Sequence, residues 1–479
     1  MSNLKRLVPV SLLLLSACAV GPKYTAPKVA GSADWIAAAD TAPVDLTWWR
    51  SLNDATLDEL MQTALAHNLD VKAAEARLRE ARASRDAVGG RRLPQLDASG
   101  SATRNAWSEN GPIPVQRVPG FERDYNLFEA GFDASWEIDL WGHTSRAVEA
   151  ARARAEGADE ARRETSLRVI TEVARSYVDL RSAQQQFSSV QADASAQTDV
   201  ASLIAERLSK GEASRFDFLR ADAQARSARA ELPSLDAAVH AAVYRLALLS
   251  GQPPEALAQR LLVPAPLPAC PAVVGAGLRS DMLRRRPDVR EAERQLAAAT
   301  ADVGVATADL FPRLSLVGSL GQQALQSQQF ASSSSTYFSL GPSLHWPLFA
   351  GGSLRANVRA ADARADAAGA AYESAVLTAL SDSETALNRF ASAQKTRADR
   401  EVAREQSQAA LALARQRYRA GEDDLIVLLN AQSAYSASEQ QSTAAEADAL
   451  NSMVSLYKAL GGGWEAFEPK IADNAGVPR

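Results

Sequence analysis

Cysteine is nearly absent, with two in 479 residues. Cys18 ends an N-terminal signal-like stretch and Cys270 lies between prolines in PLPACPAVV, so no disulfide framework is available. Cys270 reads as a small buried apolar residue. The four histidines, His67, His143, His240 and His345, are scattered, without metal-ligand spacing or partner cysteines. No phosphate-cradling glycine loop or nucleophile elbow appears, so neither catalysis nor a cofactor is expected. A net charge of −5 without a basic tract gives no reason to expect nucleic acid. Aromatics make up only 6 % and alanine fills many segments, which favours closely approaching helices over a large globular core. Beyond the N-terminus no apolar run is long enough for a membrane helix.

Proline is missing from Pro119 to Pro233 and again from Pro347 to Pro469. Those gaps hold two long helical stretches, about 146–210 and 354–420, built from strong helix formers with apolar residues at helical spacing. At 1.5 Å per residue each makes a rod of ~100 Å, which must pack against neighbouring rods as coiled coils do.

The N-terminus carries Lys5 and Arg6, the apolar run Leu7 to Leu15, and Ser16-Ala17-Cys18. This is a secretory signal, residues 1–17, too short for a span. Cysteine after Leu-Ser-Ala resembles a lipoprotein cleavage box. That resemblance makes Cys18 the lipidated first residue of the mature protein, with a covalent lipid there and an extended segment over 18–53.

The chain then says one thing twice. HNLDVKAAEARL, His67 to Leu78, matches RRPDVREAERQL, Arg285 to Leu296, and Leu93-Pro94-Gln95-Leu96 matches Phe311-Pro312-Arg313-Leu314. Further on, Trp136 pairs with Trp346, Arg154 with Arg364, Gly211 with Gly421 and Leu219 with Leu429. The repeats occupy 54–251 and 288–462. A proline-rich linker or equatorial wrap, 252–287, joins them, and 463–479 is a tail. Each repeat reads as helix, β-hairpin, very long helix, break, helix. Period-two segments of about bilayer-crossing length lie near 95–104, 129–140, 313–322 and 336–346.

A lipid-embedded sheet must close, because an open edge leaves backbone donors and acceptors unsatisfied in hydrocarbon. Four strands cannot close alone, and eight leave little lumen. Three chains give twelve strands with an open lumen and a ring of twelve helical rods. The expectation is a homotrimer, mainly α with a transmembrane β part: a 12-stranded barrel continuous with a 12-helix periplasmic barrel.

The repeat, Cys18 followed by Val20-Gly21-Pro22-Lys23-Tyr24, the Trp48-Trp49 pair and DLWG at Asp139 to Gly142 resemble one family. It is the outer membrane factors of bacterial efflux systems, TolC-like and nearest the lipoprotein branch typified by OprM and NodT. The resemblance covers Cys18 to about Trp464. It implies a passive, gated outer-membrane exit channel for drugs or other small molecules. It also implies a periplasmic adaptor, an inner-membrane transporter driven by protons, and anchorage in outer membrane lipid. The competing readings are an export channel for proteins or other cargo, and a structural periplasmic coiled-coil lipoprotein.

Gly211 and Gly421 end the long rods, so each break is a helix hairpin at a periplasmic tip. Glu422, Asp423 and Asp424 open the helix after the second break, and Ser214 with Asp217 forms S-x-x-D after the first. Helix capping accounts for such residues. Threefold symmetry would also make the acids a ring that attracts cations. By resemblance, Tyr418 and Asp217 match the tyrosine and aspartate that hold a TolC-like entrance closed. Where TolC carries an arginine, Asp423 stands here, so that part of the latch is not carried over. Arg215 is the candidate substitute cation.

Overall fold

The computed structural model describes residues 19–27, 34–37, 40–110, 112 and 122–468. The signal, Cys18 and residues 469–479 of the tail lie outside the described residues. The elements run α1 (Ala55–His67), α2 (Leu69–Gly90), β1 (Gln95–Ala106), β2 (Asp124–Ile138), α3 (His143–Ser209), α4 (Arg215–Leu249), α5 (Glu255–Leu261) and α6 (Arg279–Arg285). They continue with α7 (Pro287–Ala308), β3 (Arg313–Ala324), β4 (Thr336–His345), α8 (Ser353–Ala420) and α9 (Leu425–Ala459). The duplication is visible element by element. Helices α2 and α7 have 22 residues each, β1 and β3 have 12, α4 and α9 have 35, and α3 and α8 have 67 and 68. None of the described helices is long and apolar enough to cross a membrane.

Local chemistry explains where these elements depart from the sequence reading. The first helix is two, divided at Asn68. Its Oδ1 accepts from the amides of Asp70 and Val71, starting α2, while its Nδ2 donates to the Leu249 carbonyl at 2.8 Å. Strand β2 stops before Asp139 because that carboxylate turns to the next element. It accepts from the amides of Thr144 (3.2 Å) and Ser145 (2.7 Å) and so caps α3. The proline-rich joint, 252–287, contains α5 and α6.

The chain forms two compact units, each drawing on both repeats. The first takes in residues 78–157 and 292–372 and holds the sheet, ordered β1-β2-β3-β4 and antiparallel throughout. Its pairing puts residues of like parity on one face. One face carries Leu96, Phe128, Phe132, Trp136, Leu314, Leu316, Leu320, Phe338, Leu340 and Leu344. The other carries Asp97, Ser99, Ser101, Thr103, Glu129, Asp133, Ser315, Ser319, Ser339 and Ser343. The apolar face is open: Phe338 is 81 % exposed and Leu340 74 %. Polar residues enter it only towards the hairpin ends, as Arg104, Asn126, Gln322 and Thr336. At the opposite end two indoles fix strand to helix. Trp136 Nε1 donates to the Arg92 carbonyl at 3.0 Å and Trp346 Nε1 to the Leu310 carbonyl at 3.2 Å, matching contacts in the two repeats.

The second unit takes in residues 28–77, 158–291 and 373–479 and packs around buried aromatics. Trp48 stacks on Tyr457 and Trp49 on Phe467, with ring centroids 5.0 and 5.1 Å apart. Arg162 and Arg163 of α3 both hold Glu468, and Arg163 lies over the Trp464 ring. Cys270 is buried, and burial pushes its thiol up to about 11, so it is inert packing at neutral pH. Burial, with Asp288 adding to it, lifts Glu164 to about 7 against the opposing pull of Lys458, Arg286 and Arg168.

Two expectations follow. Arginine at Leu320, on the apolar face, should cost about 2–4 kcal/mol in a bilayer, whereas arginine at Ser319 should be tolerated. Urea unfolding in lipid vesicles distinguishes them, and equal costs would contradict the assignment of faces. Glu164, raised in the fold, contributes stability that is complete below its ordinary 4.5 and lost as pH climbs through about 7. Melting temperature should therefore fall between about pH 5 and 8, and Glu164→Gln should flatten that slope. Identical slopes in the two proteins would remove Glu164 from the account.

Candidate functional site: the two helix-hairpin tips

Both long helices end the same way. Gly211 and Gly421 each take φ +77°, a left-handed conformation that costs a residue with a Cβ about 1–2 kcal/mol. At the first tip the Gly211 amide donates to the Leu208 carbonyl and the Glu212 amide to that of Arg207 (3.0 and 2.9 Å). At the second, Gly421 donates to Tyr418 and Glu422 to Arg417 (3.1 and 3.0 Å). These are the paired bonds of a Schellman stop, and they satisfy carbonyls the helix would leave open.

The tips then diverge. Ser214 caps α4 and closes a full capping box with Asp217: Ser214 Oγ accepts from the Asp217 amide at 3.0 Å, and Asp217 Oδ2 accepts from the Ser214 amide at 3.2 Å. At the second tip Asp424 has the extended backbone of an N-cap but makes no side-chain capping bond. Capping therefore explains Asp217 and fails for Asp424. Asp423, 17 % exposed, pairs with Arg417 at 3.0 Å, and Glu422 lies 3.7 Å from the same guanidinium.

Neither Tyr418 nor Asp217 meets the other within the chain. The Tyr418 hydroxyl accepts from Arg207 Nη1 at 3.3 Å, and that guanidinium lies 5.9 Å from the ring centroid. Arg215 makes no ion pair among the described residues; besides Lys210, which pairs with Glu206 at 2.6 Å, the cations engaged at the tips are Arg207 and Arg417. The sequence reading missed both. They are equivalent residues of the two repeats, each four before its tip glycine, where positive charge also favours a helix C-terminus.

The two hairpins are fastened to each other. Leu425 packs against the Ile204–Ala221 cluster of the first and the Leu411–Leu428 cluster of the second. Arg220 donates to Asn430 Oδ1 (3.3 Å) and Gln224 to Ser433 Oγ (2.7 Å). Gln432 bridges Asp193 and Arg415 (2.6 and 2.7 Å). Among the described residues no group of three metal-ligating side chains occurs.

Cys18, the expected lipid site, lies outside the described residues, but the backbone following it is held. The Val20 amide donates to the Trp141 carbonyl at 3.0 Å, and Arg146 Nε donates to the Val20 carbonyl at 3.3 Å. Gly142 is obligatory at the β2–α3 junction. Its φ is +81°, and a Cβ there would lie 2.6 Å from that of Ala19.

A model of the outer membrane efflux protein family matches residues 60–252 and 278–462. The pyoverdine export outer membrane protein OpmQ of Pseudomonas aeruginosa is 33 % identical, with 96 % of this chain and 97 % of that protein aligned. Nodulation protein T of Rhizobium leguminosarum bv. trifolii is 32 % identical over 94 % of this chain and 95 % of its own. Among solved structures, the outer-membrane channel OprN superposes with a TM-score of 0.86 at 37 % identity, over 94 % of this chain and all of that one. The open-state MtrE channel of Neisseria gonorrhoeae superposes at 0.80 and 27 % identity, over 93 % of this chain and 99 % of that one.

The asymmetry of the tips is measurable. Asp217→Ala should cost about 1 kcal/mol locally and speed amide exchange over Ser214–Asp217 roughly fivefold or more. Asp424→Ala should leave exchange at the second tip unchanged. A similar acceleration at both tips would mean that Asp424 caps its helix after all.

Proposed function

The chain belongs to the outer membrane efflux protein family, and from that premise we propose that three copies form the outer-membrane exit channel of a tripartite efflux pump. The observation that carries the reading is the four-stranded sheet. It has one apolar and one polar face, and β1 and β4 each have a single strand neighbour among the described residues. In hydrocarbon such edges must be paired, and three copies pair them while leaving a lumen.

The channel is passive. A periplasmic adaptor delivers cargo from an inner-membrane transporter driven by protons, and the chain itself does no chemistry and needs no cofactor. Covalent lipid on Cys18 anchors the mature N-terminus. The hold on Val20 beside Trp141 supports this, because it keeps the residues just after Cys18 at a strand–helix junction. Drugs and other small molecules are the proposed cargo. The relatives' names span a pyoverdine export protein and a nodulation protein, so the family's roles differ from member to member.

The paired tips form the periplasmic gate. Within one chain Tyr418 is held by Arg207 and Asp217 by its own capping box. A closing contact between Tyr418 and Asp217 therefore acts between copies. Asp423 and Asp424, repeated three times, give the entrance a cation preference. The barrel lumen shares it, because Asp97 stands directly opposite Asp133 on the polar face.

Purified protein in planar lipid films should conduct ions with a preference for cations, and should run as a trimer on gels until boiled. Asp423→Asn with Asp424→Asn should weaken cation block and shift closed lifetimes. A monomer that passes no current would reject the channel. Unaltered block and gating in the double variant would reject the acidic gate alone.

A further inference from the structure

The polar face of the sheet changes character at its hairpin ends. Along β1 it reads Ser99, Ser101, Thr103 and Asn105, and the next residue of that parity is Trp107. Where β2 begins, the same face opens with Tyr125 and Leu127, opposite Asn105 and Thr103. Trp107 stands across from Arg123. Its amide donates to the Arg123 carbonyl at 3.0 Å, and its carbonyl accepts from Arg123 Nε at 3.1 Å. Trp107 and Tyr125 are therefore diagonal neighbours, and their rings stack with centroids 6.1 Å apart at 26°.

Tyr337 shows how this face houses an aromatic ring by packing alone. Its ring lies over Gly131 and Gly321, where a Cβ on Gly321 would come within 2.9 Å of it. Trp107 and Tyr125 instead line an open cavity of about 690 Å³, walled also by Leu127, Leu325, Gln323 and Glu122. That volume suits a drug-sized molecule, and the mixture of aromatic, aliphatic and a few polar groups is that of a ligand site. Its charge is one-sided among the described residues. Arg123 is matched by Glu109 at 3.1 Å and Arg104 by Asp124 at 4.0 Å. Glu122 makes no ion pair among the described residues, and Gln323 donates to a second carboxylate, Glu129.

We propose that this cavity binds a planar aromatic cation, stacked on Trp107 and Tyr125 with its charge towards Glu122. An indole face is the best aromatic partner for a cation, and the acid on the cavity wall favours the same sign. Acyl chains are not the occupant, because the cavity opens on the face opposite to that of Phe338 and Leu340. A passive conduit requires no binding along its path, so the site is additional to that reading. Every group in it comes from one chain, and it does not depend on the number of copies. In a three-copy ring it stands at the end of the lumen far from the helices, one step from release.

Full-length protein in a neutral detergent, titrated with ethidium and followed by fluorescence anisotropy, tests the site. Binding should saturate at one probe per chain. Proflavine, a planar aromatic cation, should displace the probe. Tetraethylammonium, a cation without rings, and naphthalenesulfonate, an aromatic anion, should do so on the order of tenfold less well. Trp107→Ala should weaken ethidium binding roughly fivefold to tenfold, and Glu122→Gln about twofold to threefold. Leu325→Arg puts a positive charge on the cavity wall at an exposed position just past β3. It should also weaken binding, and it guards against a Trp107 variant that fails to fold. Uptake that never saturates, or equal binding by the parent, Trp107→Ala and Leu325→Arg, overturns the site. Equal displacement by tetraethylammonium overturns the stack, and equal displacement by naphthalenesulfonate overturns the part given to Glu122. Conductance of the same protein in planar films decides the conduit separately, so the two readings fail independently.

Discussion

A backbone amide or carbonyl without a partner costs several kcal/mol in hydrocarbon, and most of this architecture answers to that cost. Four strands supply an apolar face of the right sign for lipid, with Phe338 and Leu340 almost bare in the single chain. They also leave edges on β1 and β4 that no other described strand covers. Such a sheet is an incomplete object. Closure by identical copies would satisfy the edges and turn the face that carries Ser, Thr and Asp away from lipid. The fold of one chain and its assembly are therefore one problem, unlike the common case in which a finished domain later finds a partner.

Duplication makes the problem tractable. Because α4 and α9, β1 and β3, and α2 and α7 match in length, the two repeats follow one plan, and β2 paired with β3 joins them inside the chain. Long helices of nearly equal length stop at Gly211 and Gly421 through the same pair of hydrogen bonds. A helix of 67 or 68 residues gains little from propensity alone and must be held along its flank. In the second unit that support includes the grip of Arg162 and Arg163 on Glu468 and the bond from Gln184 to the Leu261 carbonyl at 2.7 Å.

How much of this was legible in the sequence depended on the range of the interaction responsible. Strand alternation, proline-free helices and tip glycines are local, and they placed β1, β3, α3 and α8 closely. Asp139 looked like the end of a strand because its capping of the amides of Thr144 and Ser145 is a choice made by the turn. Asn68 divides a helix that propensity would run straight through, because it also reaches the Leu249 carbonyl far along the chain. At the site the glycines and Asp217 were readable from spacing. Arg207 and Arg417 were not singled out, since an arginine near a helix end is ordinary until its partner is known. Comparing the repeats position by position would have marked them.

The same comparison separates capping from charge at the two tips. Ser214 and Asp217 of the first tip correspond to Asp424 and Val427 of the second, so the second tip has lost the residue that would close a capping box. Ala213, packed in the first tip's apolar cluster, corresponds to Asp423, whose carboxylate is held by Arg417. If acids were kept at these positions only to start a helix, the second tip would bind at least one backbone amide with them. Asp424 binds none. The first hairpin thus uses Ser214 and Asp217 to cap its own helix, whereas at the second Asp423 is held by Arg417 and Asp424 makes no capping bond.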